Sequence, residues 1–163
     1  MPVRLINDQE WPIYKELRLR SLSDAPEAFC ATLESALALN DEEWQQRVSV
    51  CHQRPRAPLF AIWDNSVCGL GLATLDESNQ KLAHLFQLWV APEFRQLGLG
   101  KALIQYAQDW ARLKSAESLM LGIVVGNDQA GKLYESLGFT NIGETEPIPD
   151  RSPLVTQNML YQL

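Results

Sequence analysis

The chain has no apolar run approaching the roughly 20 residues that cross a bilayer. Its opening stretch, Met-Pro-Val-Arg-Leu-Ile-Asn-Asp, has no signal-peptide hydrophobic region. The expectation is a cytoplasmic protein with no membrane partner. Cysteine is scarce as well. Cys30, Cys51 and Cys68 are odd in number and widely spaced, so no disulfide framework is implied. They are expected as buried or partly buried thiols in a reducing compartment. There is no Cys-x-x-Cys pair, and the two histidines, His52 and His84, complete no metal site, so no metal is expected. Positive charge is in short supply too: 14 Lys and Arg stand against 20 Asp and Glu, a net charge of −6. No basic patch is interleaved with aromatics, which argues against nucleic acid as a main partner. An acidic surface instead attracts a cationic substrate such as an amine.

What is present is the composition of an ordinary folded domain, with 46% hydrophobic and 21% charged residues in 163. A chain of this size buries about 70% of the surface it exposes when unfolded. One domain over residues 1–163 is therefore expected. Strand-like and helix-like segments alternate, which implies a mixed sheet covered by helices. Val3 to Ile6 reads as a strand. Asn7 or Asp8 can cap a helix reaching about Leu22, with Trp11, Tyr14, Leu17 and Leu22 near one face. Ser23 to Leu39 has no clear pattern. Asn40 and Glu43 resemble a capping box ahead of a helix carrying Trp44, Val48 and Cys51. Pro58 ends an irregular stretch, and Leu59–Trp63 and Val67–Leu75 read as a hairpin turning at Asp64-Asn65-Ser66. Leu82–Val90 is an apolar, central strand. Gly98–Lys114 is the clearest helix, with Leu99, Leu103, Tyr106, Ala107, Trp110 and Leu113 as its stripe. Leu119–Val125 is a buried strand, and Asn127–Leu137 is a short helix closed by Gly138. Phe139–Glu144 and Leu154–Leu163 are the final strands.

Chemistry concentrates in Val90-Ala-Pro-Glu-Phe-Arg95-Gln-Leu-Gly98-Leu-Gly100-Lys101. This stretch joins an apolar strand to an amphipathic helix, with two glycines at the helix start. A helix N-terminus offers unpaired N–H groups and partial positive charge, and glycine lets an anion come close. That suits a phosphate or pyrophosphate. A Walker A loop needs glycine where Arg95 stands and Ser or Thr where Ala102 stands. A dinucleotide fingerprint needs a third glycine where Leu103 stands. What remains is R-x-x-G-x-G.

That motif, preceded by Val90-x-Pro92, resembles the cofactor loop of the GNAT family of acetyl-coenzyme A-dependent N-acetyltransferases. A second segment, Asn127-x-x-Ala130-x-x-Leu133-Tyr134-x-x-x-Gly138-Phe139, resembles that family's later motif. Leu22 to Phe29 is also similar to many members, so the likeness covers nearly the whole chain.

The resemblance implies an α/β (α+β) fold: a mixed, mostly antiparallel central sheet with two splayed parallel strands and flanking helices. It implies acetyl-CoA as co-substrate, lying between Leu82–Val90 and Leu119–Val125. The backbone of Leu88, Trp89 and Val90 would pair with the pantetheine arm. The N–H groups of Gln96, Leu97, Gly98, Leu99, Gly100 and Lys101 would hold the pyrophosphate, with charge from Arg95 and Lys101. Asn127 and Ala130 would line the same site. A backbone N–H near Leu88 or Trp89 would stabilise the oxyanion. Tyr134 would act as general acid toward the leaving thiolate, being protonated at pH 7. The base is open among Glu34, His84 and a water positioned by Gln87. The acceptor is a primary amine, of a small molecule by preference, with a protein N-terminus or lysine as the alternative. A non-catalytic acyl-CoA-binding domain is the reading from another class. Asp24, Glu27, Glu34, Glu146 and Asp150 fall in segments that could border the acceptor groove. A homodimer through the final strands is possible.

Overall fold

The computed structural model describes residues 2–53, 55–151 and 153–163, with residues 50–53 described by their backbone alone. Among these residues seven strands form one sheet in the order β1-β2-β3-β4-β5-β7-β6. They are β1 (Val3–Leu5), β2 (Arg56–Trp63), β3 (Ser66–Leu75), β4 (Leu82–Val90), β5 (Ser118–Val124), β6 (Thr140–Pro147) and β7 (Val155–Gln162). Among the described residues five α-helices accompany them: α1 (Trp11–Asp24), α2 (Leu33–Leu37), α3 (Asp41–Gln53), α4 (Leu99–Leu113) and α5 (Asp128–Ser136). Every strand pair is antiparallel except β4 with β5. The mixed, mostly antiparallel sheet expected from the sequence is therefore present.

Two apolar cores sandwich this sheet. On one face α4 and α5 pack Leu99, Leu103, Ile104, Ala107 and Tyr134 onto Leu59, Leu85, Leu119 and Leu121. On the other, α1 and α3 pack Tyr14, Leu17, Leu22, Trp44 and Val48 onto Phe60, Leu70 and Trp89. Phe94, in the loop that leaves β4, touches both cores. The expected stripe orients α4 correctly through Leu99, Leu103 and Ala107, but Leu113 at its end is exposed.

Several boundaries differ from expectation. The first helix is preceded by a 3-10 turn (Asp8–Glu10), which Asn7 and Glu10 close as a reciprocal capping box. Ser23–Leu39 contains α2, capped by Thr32. Strand β2 begins at Arg56, running straight through Pro58. Pro58 is tolerated because its carbonyl, and hence its nitrogen, faces β1 just past the last β1 pair, Leu5↔Leu59. The hairpin turn uses Asp64 (φ 47°) and Asn65 (φ 62°), the pair of left-handed residues a two-residue turn needs. Cys68 is buried, but Cys30 is exposed, against the expectation of covered thiols. The side chains of Cys51 and His52 lie outside the described residues.

Candidate active site

The parallel ladder between β4 and β5 is short. Leu82, Ala83 and His84 pair with Ser118, Leu119 and Met120, and nothing beyond them does. Past His84 the two strands part. The cause lies on the other edge of β4. Its register with β3 shifts between Leu72↔Phe86 and Leu70↔Trp89, so Gln87 and Leu88 together oppose Gly71. This is a β-bulge, with Gln87 held in the left-handed region (φ 60°). The Tyr14 hydroxyl fixes it, donating to Gln87 Oε1 at 2.9 Å.

The bulge decides which backbone groups meet the gap. The Ala91 N–H donates to Cys68 O, toward β3. Alternation along the strand then turns Trp89 toward β3 as well, and Leu88 and Val90 into the gap. Of the two expected oxyanion donors, Leu88 is the one with an N–H facing the opening. Trp89 serves differently: its indole N–H donates to Asp24 Oδ2 at 2.9 Å.

At the mouth of the gap stands the N-terminus of α4. The first N–H to close a helical bond is that of Ala102, onto Gly98 O at 3.0 Å. The N–H groups of Leu99, Gly100 and Lys101 therefore have no partner within the helix. Just ahead, Gln96 (φ 65°) and Gly98 (φ 80°) both occupy the left-handed region, while Arg95 is extended. Leu99 is buried and anchors the turn, while Gln96, Leu97, Gly98 and Lys101 are exposed. Gly98 needs to be glycine for its φ alone, because a Cβ there would meet no atom within 4 Å. Gly100 faces α5, where its Cβ would lie 3.6 Å from Leu133 Cδ2.

Arg95, expected to add charge beside the phosphates, has partners within the protein. Its Nε donates to Val90 O at 2.9 Å, and its guanidinium pairs with Asp24 Oδ2 at 2.6 Å. The Asp24 carboxyl is held below its usual range, first by the Trp89 indole and then by Arg95. Asp24 is thereby a strut between α1 and the loop, not a free acid at the acceptor groove. Arg20 repeats the theme, pairing with Glu93 at 2.6 Å and lying 5.6 Å over the Trp89 ring.

The β5 side carries the second motif. Asn127 caps α5, its Oδ1 accepting from the Ala130 N–H at 3.4 Å. Ala130 is half-buried against the core. A groove of about 280 Å³ runs along Ile123–Asp128 and α5, and Lys132 borders it. The motif reading passed over that cation, because the pattern marks only the buried face of α5. Tyr134 is nine-tenths buried, and burial pushes its phenol up to about 12. Its ring packs 6.2 Å from that of Phe139. Among the described residues its hydroxyl has no hydrogen-bond partner.

The two expected carboxylate and imidazole bases sit apart. Glu34 is exposed in the first turn of α2, which packs on α1. His84 Nε2 is 2.9 Å from Asp76 Oδ1, and its ring stacks on Phe86. Asp76 is lowered to about 2, chiefly by His84 and then by Ser78. His84 also closes the parallel ladder, three residues before the bulge. Gln87 is the one candidate placed at the bulge itself. Sequence reasoning missed Arg151, whose guanidinium binds the carbonyls of Pro26 (2.7 Å), Phe29 (3.3 Å) and Ala31 (3.4 Å). It ties the β6–β7 loop to the segment between α1 and α2. No group of three or more potential metal ligands occurs among the described residues, and none of their helices is long and apolar enough to cross a membrane.

Comparison with known proteins places this geometry. The model of the Acetyltransferase (GNAT) family matches residues 14–139. The chain is 30% identical over 122 residues to N-acetylaspartate synthetase of Danio rerio, covering 71% of this chain and 42% of that protein. The chain thus spans less than half the length of that relative. It is 30% identical over 99 residues to the bS18-alanine N-acetyltransferase of Escherichia coli K12, covering 59% of this chain and 64% of that one. Its fold matches yncA of Salmonella typhimurium, solved with its cofactor acetyl-CoA. The TM-score there is 0.79 at 18% identity, over 99% of this chain and 92% of that one.

Proposed function

The chain belongs to the GNAT acetyltransferase family, and we propose that it transfers the acetyl group of acetyl-CoA directly to a primary amine of a small molecule. The observation that carries this reading is the gap between β4 and β5, with the N–H groups of Leu88 and Val90 turned into it and a free helix N-terminus at its mouth. An extended amide-bearing arm ending in a pyrophosphate has the chemistry to fill both.

In this mechanism Leu88 and Val90 bind the arm as a strand would. The N–H groups from Gln96 to Lys101 hold the pyrophosphate, with Lys101 and Lys132 as the nearby cations. The Leu88 N–H stabilises the oxyanion formed when the neutral amine attacks the thioester carbonyl. Tyr134 donates its hydroxyl proton toward the departing sulfur. Gln87, fixed by Tyr14, orients water that takes the proton lost by the ammonium.

A protein N-terminus is the second reading, favoured by the likeness to the bS18-alanine enzyme. The test is coenzyme A release from acetyl-CoA across small amines and N-terminal peptides. Turnover of small amines with kcat/KM well above the peptides is expected. The reverse order would move the function to proteins. Tight acetyl-CoA binding with no release on any acceptor would leave a regulatory binding domain.

A further inference from the structure

A pocket of about 350 Å³ lies on the α1–α3 face of the sheet, bordered by Tyr14, Leu39, Glu43, Arg47, Arg56 and Gln87. Gln87 is the bulge residue, so this pocket borders the point on β4 where its register with β3 shifts. Its volume sits near the small end of the roughly 300–1,000 Å³ of small-molecule sites.

Among the described residues, two cations of this pocket have no acidic partner. Arg4, Arg20, Arg95 and Arg112 each pair with a carboxylate. Arg47 and Arg56 do not: among the described residues neither has a carboxylate within ion-pair distance. Arg47 lies over the Trp44 ring, 5.6 Å from its centre. The one acid of the lining, Glu43, is turned to the Asn40 N–H in the cap of α3. A third guanidinium, Arg18, is buried behind, over the Phe29 ring at 4.9 Å. Burial lowers its pKa, and repulsion from Arg47 adds to that. Like charges gathered in a concave, partly apolar site raise its field, whatever the net charge of the whole molecule. Leu39 beside them leaves room for a short carbon chain.

We propose that the acceptor amine carries a carboxylate, which Arg47 and Arg56 bind while its amino group faces Gln87. This rests on the transferase reading above. It narrows the expected small primary amine to one that also bears a negative charge, which the net charge of −6 alone does not suggest. A polyamine would meet two unpaired guanidiniums.

The experiment measures coenzyme A release with amino acids paired against the amines that lack their carboxylate, on wild type, Arg47→Gln and Arg56→Gln. The carboxylate-bearing member of each pair is expected to have the higher kcat/KM, by about tenfold or more. Each variant should lose that advantage through acceptor KM, with acetyl-CoA KM and melting temperature unchanged. Arg→Lys at either position should restore part of it. Equal or better turnover of the amines without carboxylate refutes this assignment and leaves the transferase reading intact. So does a loss in the variants that is the same for every amine. No release with any amine, despite acetyl-CoA binding, refutes both.

Discussion

Replacing Tyr134 with Phe isolates the hydroxyl, because the ring that packs against Phe139 stays. The phenol is pushed up to about 12 by burial, whereas a thiol titrates near 8.5. Complete proton transfer to a thiolate is then uphill by roughly 3.5 units, or about 5 kcal/mol. Tyr134 therefore works best as a strong hydrogen-bond donor to the sulfur as charge builds on it. A hydrogen bond to a charged group contributes about 1.5–3 kcal/mol, so Tyr134→Phe should lower kcat about 10- to 150-fold. Acetyl-CoA KM should stay within about twofold. The raised pKa also keeps the donor protonated well beyond pH 10, so its ionisation adds no alkaline limb to the wild-type profile there. The hydroxyl has no partner among the described residues, so the melting temperature should move little. Steady-state kinetics with a thermal melt on the same preparations provides the check. Unchanged kcat would remove Tyr134 from the reaction. A large rise in acetyl-CoA KM would make it a binding residue.

The anion loop makes a paired prediction. Gly98→Ala forces alanine to φ 80°, at about 1–2 kcal/mol, and should weaken acetyl-CoA binding in a calorimetric titration. Gly100→Ala meets Leu133 at an ordinary contact distance, so its melting temperature should match wild type; a Gly100 variant less stable than the Gly98 one would contradict the geometry of the loop. Arg151→Ala removes the tie to the carbonyls between Pro26 and Ala31. Limited proteolysis should then cut that segment faster, and acceptor KM should rise about tenfold with acetyl-CoA KM unchanged; equal cutting rates would show that the segment holds itself.

The motif segments were legible because their physics is local. Two glycines at the start of α4, the closing Gly138 of α5 and most of the apolar stripe on α4 each follow from residues within one or two turns. The bulge was not legible. Gln87 is no bulge marker by type, and the hydroxyl that fixes it belongs to Tyr14, 73 residues away. The same holds for the pairing of Arg95 with Asp24, which lies 71 residues away on α1. Pro58 misled for the opposite reason, since its local rule was sound but β1 ends just where it would have mattered.

The short ladder between β4 and β5 has a consequence for how the molecule holds together. Four strands lie on one side of it and three on the other, so the sheet is two slabs hinged at three paired residues, with α4 laid across the joint. Such a seam opens at a lower free energy than either slab unfolds. The amides of Leu88 and Val90 should therefore exchange with solvent faster than those of β3 beside them. A ligand that lies in the seam as an extra strand closes it. At a hundred times its dissociation constant it would add about 2.7 kcal/mol to the folded state. On the proposed function, the co-substrate would then also be the piece that makes the sheet continuous.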